Sequence, residues 1–359
     1  MSAPVMIMAG GTGGHVFPAL SVAAELARRD VPVVWLGTRR GIEARLVPQA
    51  GLPIEWVDVA GLRGKGLVTR VMAPLHILRA LWQALRVLRR VRPRAVLGMG
   101  GFAAGPGGLA AWLLRIPLVI HEQNSTAGMT NRVLARVADE VLCAFDGAFS
   151  SRVGVRVVGN PVRRELFALP APAVRYRNGD ALRLLVLGGS QGARALNACV
   201  PQALALLSAG TAVEVRHQAG RATLDAAQQA YREVSVTARV EAFIDDMAGA
   251  YRWAQLLVCR AGALTVAELA AAGLPAILVP FPSAVDDHQT GNARALVDAG
   301  AAVLLPESEL TPATLAAQLA ALAADRPRLQ AMAEAARGLA RPDAAADVAS
   351  TLLAVGVGR

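Results

Sequence analysis

Cysteine is scarce in this chain of 359 residues: Cys143, Cys199 and Cys259 stand in apolar surroundings and none belongs to a CxxC pair. That excludes a disulfide frame and a zinc site, and leaves three small hydrophobes suited to a reducing compartment. Aromatic residues make up only 4%, and no basic stretch interleaves them into a platform on which nucleic-acid bases would stack. Charge-rich low-complexity tracts are missing, and only Pro170 to Asp180 is polar enough to resist packing. The amino terminus has no basic lead and meets Gly10 before a secretory core could form, so no signal peptide is expected and the cytoplasm is the expected compartment. One uncharged stretch, Ala95 to Leu114, has the length of a membrane span. It holds six glycines and Pro106, which suits a strand, a loop and a helix start and not a lipid-facing helix.

Acid is missing where base is dense. From Val59 to His121 there is no Asp or Glu, against Arg63, Lys65, Arg70, Arg79, Arg86, Arg89, Arg90, Arg92, Arg94 and Arg115. The net charge of +10 rests almost wholly on arginine, so its distribution says more than its size. Such a patch suits an anionic partner, either nucleic acid or a phospholipid surface.

An apolar content of 54% over this length builds a large core and about two domains. Apolar, β-branched runs alternate with longer helical patterns, the grammar of parallel βαβ units. Strands are predicted at Val5–Ala9, Val31–Leu36, Ile54–Val57, Ala95–Gly98, Leu118–His121, Glu140–Ala144 and Arg156–Val158, then at Arg183–Leu187, Val213–Gln218, Arg239–Phe243, Leu256–Cys259, Ala276–Val279 and Ala302–Leu304. Each half opens alike, VMIMAGGTGGHVFPAL against RLLVLGGSQGARALN: strand, glycine turn, helix. The expectation is an α/β protein of two doubly wound, Rossmann-like domains, 1–162 and 163–340, facing a cleft, with a helix in 341–359 packing back on the first. Ligands of such sheets bind beyond the carboxyl ends of the strands.

The nicotinamide fingerprint fails, because a GxGxxG frame from Gly11 reaches Val16 and the second strand ends in Thr38, Arg39 and Arg40, not an acid. The Walker sequence is absent too. In LLVCRAGALTVAELAAAGLPAILVPFP, Leu256 to Pro282, a strand ends at Cys259 and a helix begins near Ala263 with Thr265 in its first turn. Unpaired amides with the helix dipole behind them suit a diphosphate without a metal. Glu268, more than a turn inside, suits a ribose diol, or else is a solvated helix residue.

Seven motifs then stand together: GGTGGH at Gly10 to His15, GMGGFAAGP at Gly98 to Pro106, HEQN at His121 to Asn124, GNPVR at Gly159 to Arg163, GGSQGA at Gly188 to Ala193, and RAGALTVAE with DHQTGNA at Asp287 to Ala293. In this order, over nearly the whole chain, they resemble the bacterial MurG family, N-acetylglucosaminyltransferases that convert lipid I to lipid II in peptidoglycan synthesis. The resemblance implies a GT-B fold, an inverting reaction, UDP-N-acetylglucosamine (UDP-GlcNAc) as donor, no cofactor and no metal; Asp245-Asp246 and Asp286-Asp287 are adjacent pairs, not a DxD motif. It implies that Ser190, with the backbone of Gln191 and Gly192, and the turn formed by Ala263, Leu264, Thr265, Val266, Ala267 and Glu268 hold diphosphate and ribose. Ile244 would meet uracil through its backbone, Arg163 the phosphates, and Asn124 and Gln289 the GlcNAc hydroxyls.

Thr12, Gly13 and Gly14 would let the acceptor's pyrophosphate approach the backbone. His15 is then a candidate base for the acceptor's C4 hydroxyl or a residue that orients the acceptor, the alternative being a histidine that only packs the loop. Glu122 is the rival base; His121 closes its strand. Where the family has tyrosine after GMGG, this chain has Phe102, so no hydrogen bond is assigned there.

Within Val71 to Val91, Arg79, Gln83, Arg86 and Arg90 form one polar stripe, while Leu75, Leu78, Leu81, Trp82, Leu85 and Leu88 cover more circumference than docking to a sheet needs. Apolar surface ringed by arginine fits a peripheral protein on the anionic cytoplasmic face of the inner membrane, with lipid I and UDP-GlcNAc as partners and no nucleic acid. A helix buried on two sides is the alternative. Competing functions are a UDP-sugar epimerase, another transferase on the same fold, or a non-catalytic binder of anionic membrane or nucleic acid.

Overall fold

The computed structural model describes residues 3–59, 73–150, 153–176, 181–188, 193–208 and 210–356. The chain divides into two units, one formed by residues 1–162 with 341–359 and the other by residues 163–340.

The first unit holds a sheet of seven parallel strands: β1 (Val5–Met8), β2 (Val33–Gly37), β3 (Ile54–Trp56), β4 (Ala95–Gly98), β5 (Leu118–Glu122), β6 (Glu140–Cys143) and β7 (Arg156–Val157), in the order β3-β2-β1-β4-β5-β6-β7. Central strands covered on both faces must be apolar throughout, and β1 and β4 are buried at every position. The helices Gly13–Arg28 and Ala344–Val355 cover one face, where Val348, Ala349 and Leu352 join the core built on Val5, Ile7 and Leu97. Leu36, Val96, Ile120, Ala84 and Leu88 close the other.

The second unit repeats the plan with β8 (Leu182–Leu187), β9 (Val213–Gln218), β10 (Arg239–Glu241), β11 (Leu256–Cys259), β12 (Ala276–Leu278) and β13 (Ala302–Leu304), all parallel in the order β10-β9-β8-β11-β12-β13. Both sheets are doubly wound. Strand order reverses beside β1 in one and β8 in the other, and the carboxyl ends of β1 and β4, and of β8 and β11, flank the edge where such sheets bind ligands.

The helix Ala73–Val91 corrects one expectation. Three of the four residues of its polar stripe are held by acids of a neighbouring segment, while the fourth, Arg86, lies over the exposed Trp82 ring. Arg79 and Gln83 bond Asp58 at 3.1 and 2.9 Å, and Arg90 pairs with Glu55. These contacts hold the Asp58 carboxyl below its ordinary range, chiefly through Gln83. Leu88 is buried and Leu81 and Leu85 half-buried, whereas Leu75, Ile77, Leu78 and Trp82 are exposed. The helix is therefore not buried on two sides. Arg63, Lys65 and Arg70 of the basic stretch lie outside the described residues.

Candidate functional site

In the first unit two glycine loops touch backbone to backbone. After β1 the chain turns at Gly11, with φ +89°, and enters the Gly13–Arg28 helix with Thr12 as its N-cap. After β4 it turns at Gly100 and Gly101, both with φ above +80°. A Cβ on Gly101 would stand 2.3 Å from the Gly10 carbonyl oxygen, and one on Gly100 would stand 2.8 to 2.9 Å from the His15 ring at Cδ2 and Nε2. Glycine at these positions has a specific use: it lets the two loops close on each other and lets the Gly100 backbone lie against the His15 ring. The other ring nitrogen, Nδ1, lies 3.2 Å from Thr12 Oγ1. If the hydroxyl accepts there, the proton sits on Nδ1 and Nε2 carries the lone pair of a base.

Glu122 ends β5 and is 2% exposed. Its Oε1 accepts from the Asn124 amide at 3.0 Å and the Asn124 side chain at 3.2 Å, and its Oε2 accepts from the Gly128 amide at 3.1 Å and Asn131 Nδ2 at 2.8 Å. A carboxylate offers about four lone-pair positions. All are taken, and these bonds tie Glu122 to Asn124, Gly128 and Asn131 of the following loop and helix. His121 beside it is fully buried. Its Nε2 donates to the Gly159 carbonyl at 2.9 Å, and burial pushes its pKa down to about 4, against the opposing pull of that carbonyl and Glu122. Phe102 carries its ring exposed at the loop tip.

In the second unit β11 runs into the turn at Arg260 to Gly262 and the helix Ala263–Ala272, which starts with no side-chain cap. Helix starts leave backbone N–H groups pointing outward, with the positive end of the dipole behind them. Arg260 is not available to a phosphate: it donates to the Val279 and Pro280 carbonyls, both at 3.2 Å, and pairs with Glu307. Thr265, Leu264 and Ala267 are half-buried, while Ala263 and Val266 are buried.

Glu268 is 5% exposed, which excludes a solvated helix residue. Its Oε1 accepts from Arg163 at 3.1 Å and its Oε2 from the Tyr251 hydroxyl at 2.9 Å. Burial raises its pKa, with Arg163 and Tyr251 pulling the other way. Among the described residues each oxygen has this one partner, which leaves each a lone-pair position, as many as a vicinal diol needs.

The Ile244 amide donates to Gln218 Oε1 at 3.0 Å, so contact with a base falls to its carbonyl. Gln289 accepts from the Phe281 amide at 2.9 Å through Oε1, leaving its NH2 as the donor. Asp246 caps the helix Met247–Trp253 by accepting from the Gly249 amide at 2.8 Å. Ser190, Gln191 and Gly192 lie outside the described residues. Among the described residues no cluster of His, Cys, Asp and Glu is arranged to hold a metal ion.

Two doubly wound parallel-sheet units are the architecture of many nucleotide-sugar glycosyltransferases, and both halves match models of that class. Residues 5–143 match the glycosyltransferase family 28 N-terminal domain, and residues 183–348 match its C-terminal domain. The chain is 61% identical, over 98% of its length and 99% of the relative's, to a protein of Alkalilimnicola ehrlichii named UDP-N-acetylglucosamine--N-acetylmuramyl-(pentapeptide) pyrophosphoryl-undecaprenol N-acetylglucosamine transferase. It is 56% identical to a protein of the same name from Nitrosococcus oceani, over the full length of both. The crystal structure of Acinetobacter baumannii MurG, 42% identical, superposes with a TM-score of 0.84 over 98% of this chain and 100% of that one. The chain belongs to the MurG family of glycosyltransferase family 28.

Tyr251 and Glu43 escaped sequence reasoning. Neither carries a motif of its own, and each reaches its partner from another element.

Proposed function

We propose that this protein transfers GlcNAc from UDP-GlcNAc to the C4 hydroxyl of the MurNAc of undecaprenyl-pyrophosphoryl-MurNAc-pentapeptide, lipid I, giving lipid II with inversion at the anomeric carbon. The observation that carries the donor side is Glu268, buried one turn inside an uncapped helix start and held by Arg163 and Tyr251. Ribose hydroxyls donate to its remaining lone pairs. The diphosphate lies on the first-turn amides of Ala263, Leu264 and Thr265, which the Ser190 loop is proposed to complete, and the uracil N3–H donates to the Ile244 carbonyl. Helix dipole and Arg163 stabilise the charge that UDP gains as it leaves.

The acceptor side is the pair of glycine loops in the first unit. Main-chain groups of Thr12, Gly13 and Gly14 receive the acceptor's pyrophosphate, and Nε2 of His15 takes the proton as the C4 oxygen bonds to C1 and the C1–O bond to UDP breaks. Asn124, fixed by Glu122, and Gln289 offer polar groups to sugar hydroxyls. The exposed residues Leu75, Ile77, Leu78 and Trp82 seat the protein on the anionic cytoplasmic leaflet, where a lipid-linked acceptor is found.

Radiolabelled UDP-GlcNAc and a lipid I analogue test this, with His15→Ala and Glu268→Ala compared with the parent. Label should enter a lipid-extractable product. The first variant should lose turnover by about 100-fold or more, and the second should mainly raise the donor KM. Label found only in free or UDP-linked sugar would reassign the chain to another reaction.

A further inference from the structure

Glu43 opens the helix Glu43–Gln49 after β2 and has no exposed surface. Among the described residues no arginine stands within ion-pair distance of it. Instead three donors converge on its carboxylate: the Thr38 amide at 3.1 Å and the Thr38 hydroxyl at 2.7 Å reach Oε1, and the Gly11 amide reaches Oε2 at 3.0 Å. The packing around it is shaped to the side chain. A Cβ on Gly10 would lie 2.5 Å from Oε1, one on Gly41 would lie 1.9 Å from Oε2, and one on Gly37 would lie 2.9 Å from its Cγ. Gly10 after β1, Gly37 at the end of β2 and Gly41 in the connection that follows thus make room for one acid, and that acid grips the turn carrying Thr12 and His15.

Burying an unpaired charge costs free energy unless hydrogen bonds return it. Two of the bonds return it locally, within the β2 loop. The third spans 32 residues and fixes the Gly11 peptide, whose orientation sets where the next amides and the His15 ring point. We propose that Glu43 is a positioning residue for acceptor transfer, holding the glycine turn so that Thr12 to His15 meet the acceptor's pyrophosphate and hydroxyl. This rests on the acceptor-side assignment above.

Glu43→Gln is a selective probe. A glutamine whose carbonyl oxygen stays on the Thr38 donors must turn its NH2 toward the Gly11 N–H, donor against donor, so the helix remains anchored while the turn is released. The expected result is a fall in acceptor kcat/KM on the order of 10- to 100-fold, the scale set by small misplacements of a reacting group, with the KM for UDP-GlcNAc and the affinity for UDP unchanged. Thr38→Val separates positioning from stability. It removes a bond to the same carboxylate, lowers the unfolding midpoint, and leaves the Gly11 bond and acceptor kinetics in place. Acceptor kinetics unchanged in Glu43→Gln overturn the proposal, as do acceptor losses that track the unfolding midpoint equally in both variants. Should Glu43→Gln lose UDP binding as well, through failure to fold, Gly41→Ala decides, because its Cβ displaces Oε2 with the carboxylate retained: selective loss of acceptor kcat/KM supports the proposal and parent-like kinetics overturn it. A parent protein that moves no label into lipid overturns the acceptor reading itself, a result distinct from any difference among the variants.

Discussion

Tyr251 donates its hydroxyl to Glu268 at 2.9 Å, from the helix that follows the Ile244 segment to the helix that carries the ribose acid. Both side chains are buried, so the bond ties the segment proposed to contact uracil to the one proposed to contact ribose. Tyr251→Phe keeps the ring and deletes the donor, a loss of about 1.5–3 kcal/mol for a bond to a charged group. Glu268, already raised by burial, then rises further. Its ionised form is the one that accepts the diol, so donor affinity should fall as pH drops through the raised value, and the fall should begin at higher pH in Tyr251→Phe. Stability has the opposite sign: an acid raised in the folded state favours folding most below its unfolded value, and that contribution is lost as pH rises through the folded value. Calorimetric UDP titrations from mildly acid to neutral pH check the first trend, and urea midpoints over the same range check the second.

His15 and Gly100 make a second pair. A methyl group on Gly100 would crowd Nε2 at 2.9 Å, and φ +90° strains any L residue there. Gly100→Ala should therefore mimic His15→Ala in kcat while leaving UDP affinity intact. Combining the two should cost little beyond either alone, since residues acting as a unit are not additive. Steady-state kinetics with saturating donor measure this directly.

The strands were legible because central parallel strands must be apolar along their whole length. Every predicted run became a strand, most with an end moved by one residue and the two-residue shifts falling at Val33 and Glu241. The site was legible only where its chemistry is local. The helix start at Ala263 is written in its own glycine and small residues, whereas the partner of Glu268 stands 105 residues earlier. Glu122 sits where a base might be sought, and nothing in HEQN announces that Gly128 and Asn131 will saturate it. The arginines on the Ala73–Val91 helix misled for the same reason. Their acids, Asp58 and Glu55, lie on a neighbouring segment outside the helical period.

Acid should weaken both units through histidines that catalysis does not use. His121 in the first and His217 in the second are buried and pushed down to about 4 by burial. His217 lies between the Tyr231 hydroxyl at 2.9 Å and Asn197 Oδ1 at 3.0 Å. A histidine depressed in the folded state gives stability present above its unfolded value near 6.5 and lost as pH falls toward 4. At pH 5 each should have given up roughly 2 kcal/mol. Urea unfolding at pH 7.5 and pH 5 reads the loss, and His217→Gln should flatten the slope contributed by the second unit.

Membrane seating should depend on the outward side of the Ala73–Val91 helix. Among the described residues no helix is long and apolar enough to cross a membrane, and the proposed attachment uses exposed side chains. Leu78 is 61% and Trp82 56% exposed, and Trp112 and Leu113 stand exposed on the Ala104–Leu113 helix packed beside it. The Arg86 guanidinium lies 4.6 Å from the centre of the Trp82 ring, so a cation accompanies the apolar anchor toward lipid phosphate. Burying one such side chain contributes about 1.5–3 kcal/mol. Leu78→Glu or Trp82→Glu should thus lower partitioning onto phosphatidylglycerol-containing vesicles by about tenfold or more. Transfer to a soluble, short-chain acceptor should stay at the parent rate, because these residues hold no reacting group. Arg86→Gln should weaken binding less, and only at low salt, since its contribution to anionic lipid is screened within about 10 Å at 0.1 M. Co-sedimentation with anionic and with neutral vesicles separates the two contributions, and equal binding by all three variants would place the membrane contact elsewhere on the protein.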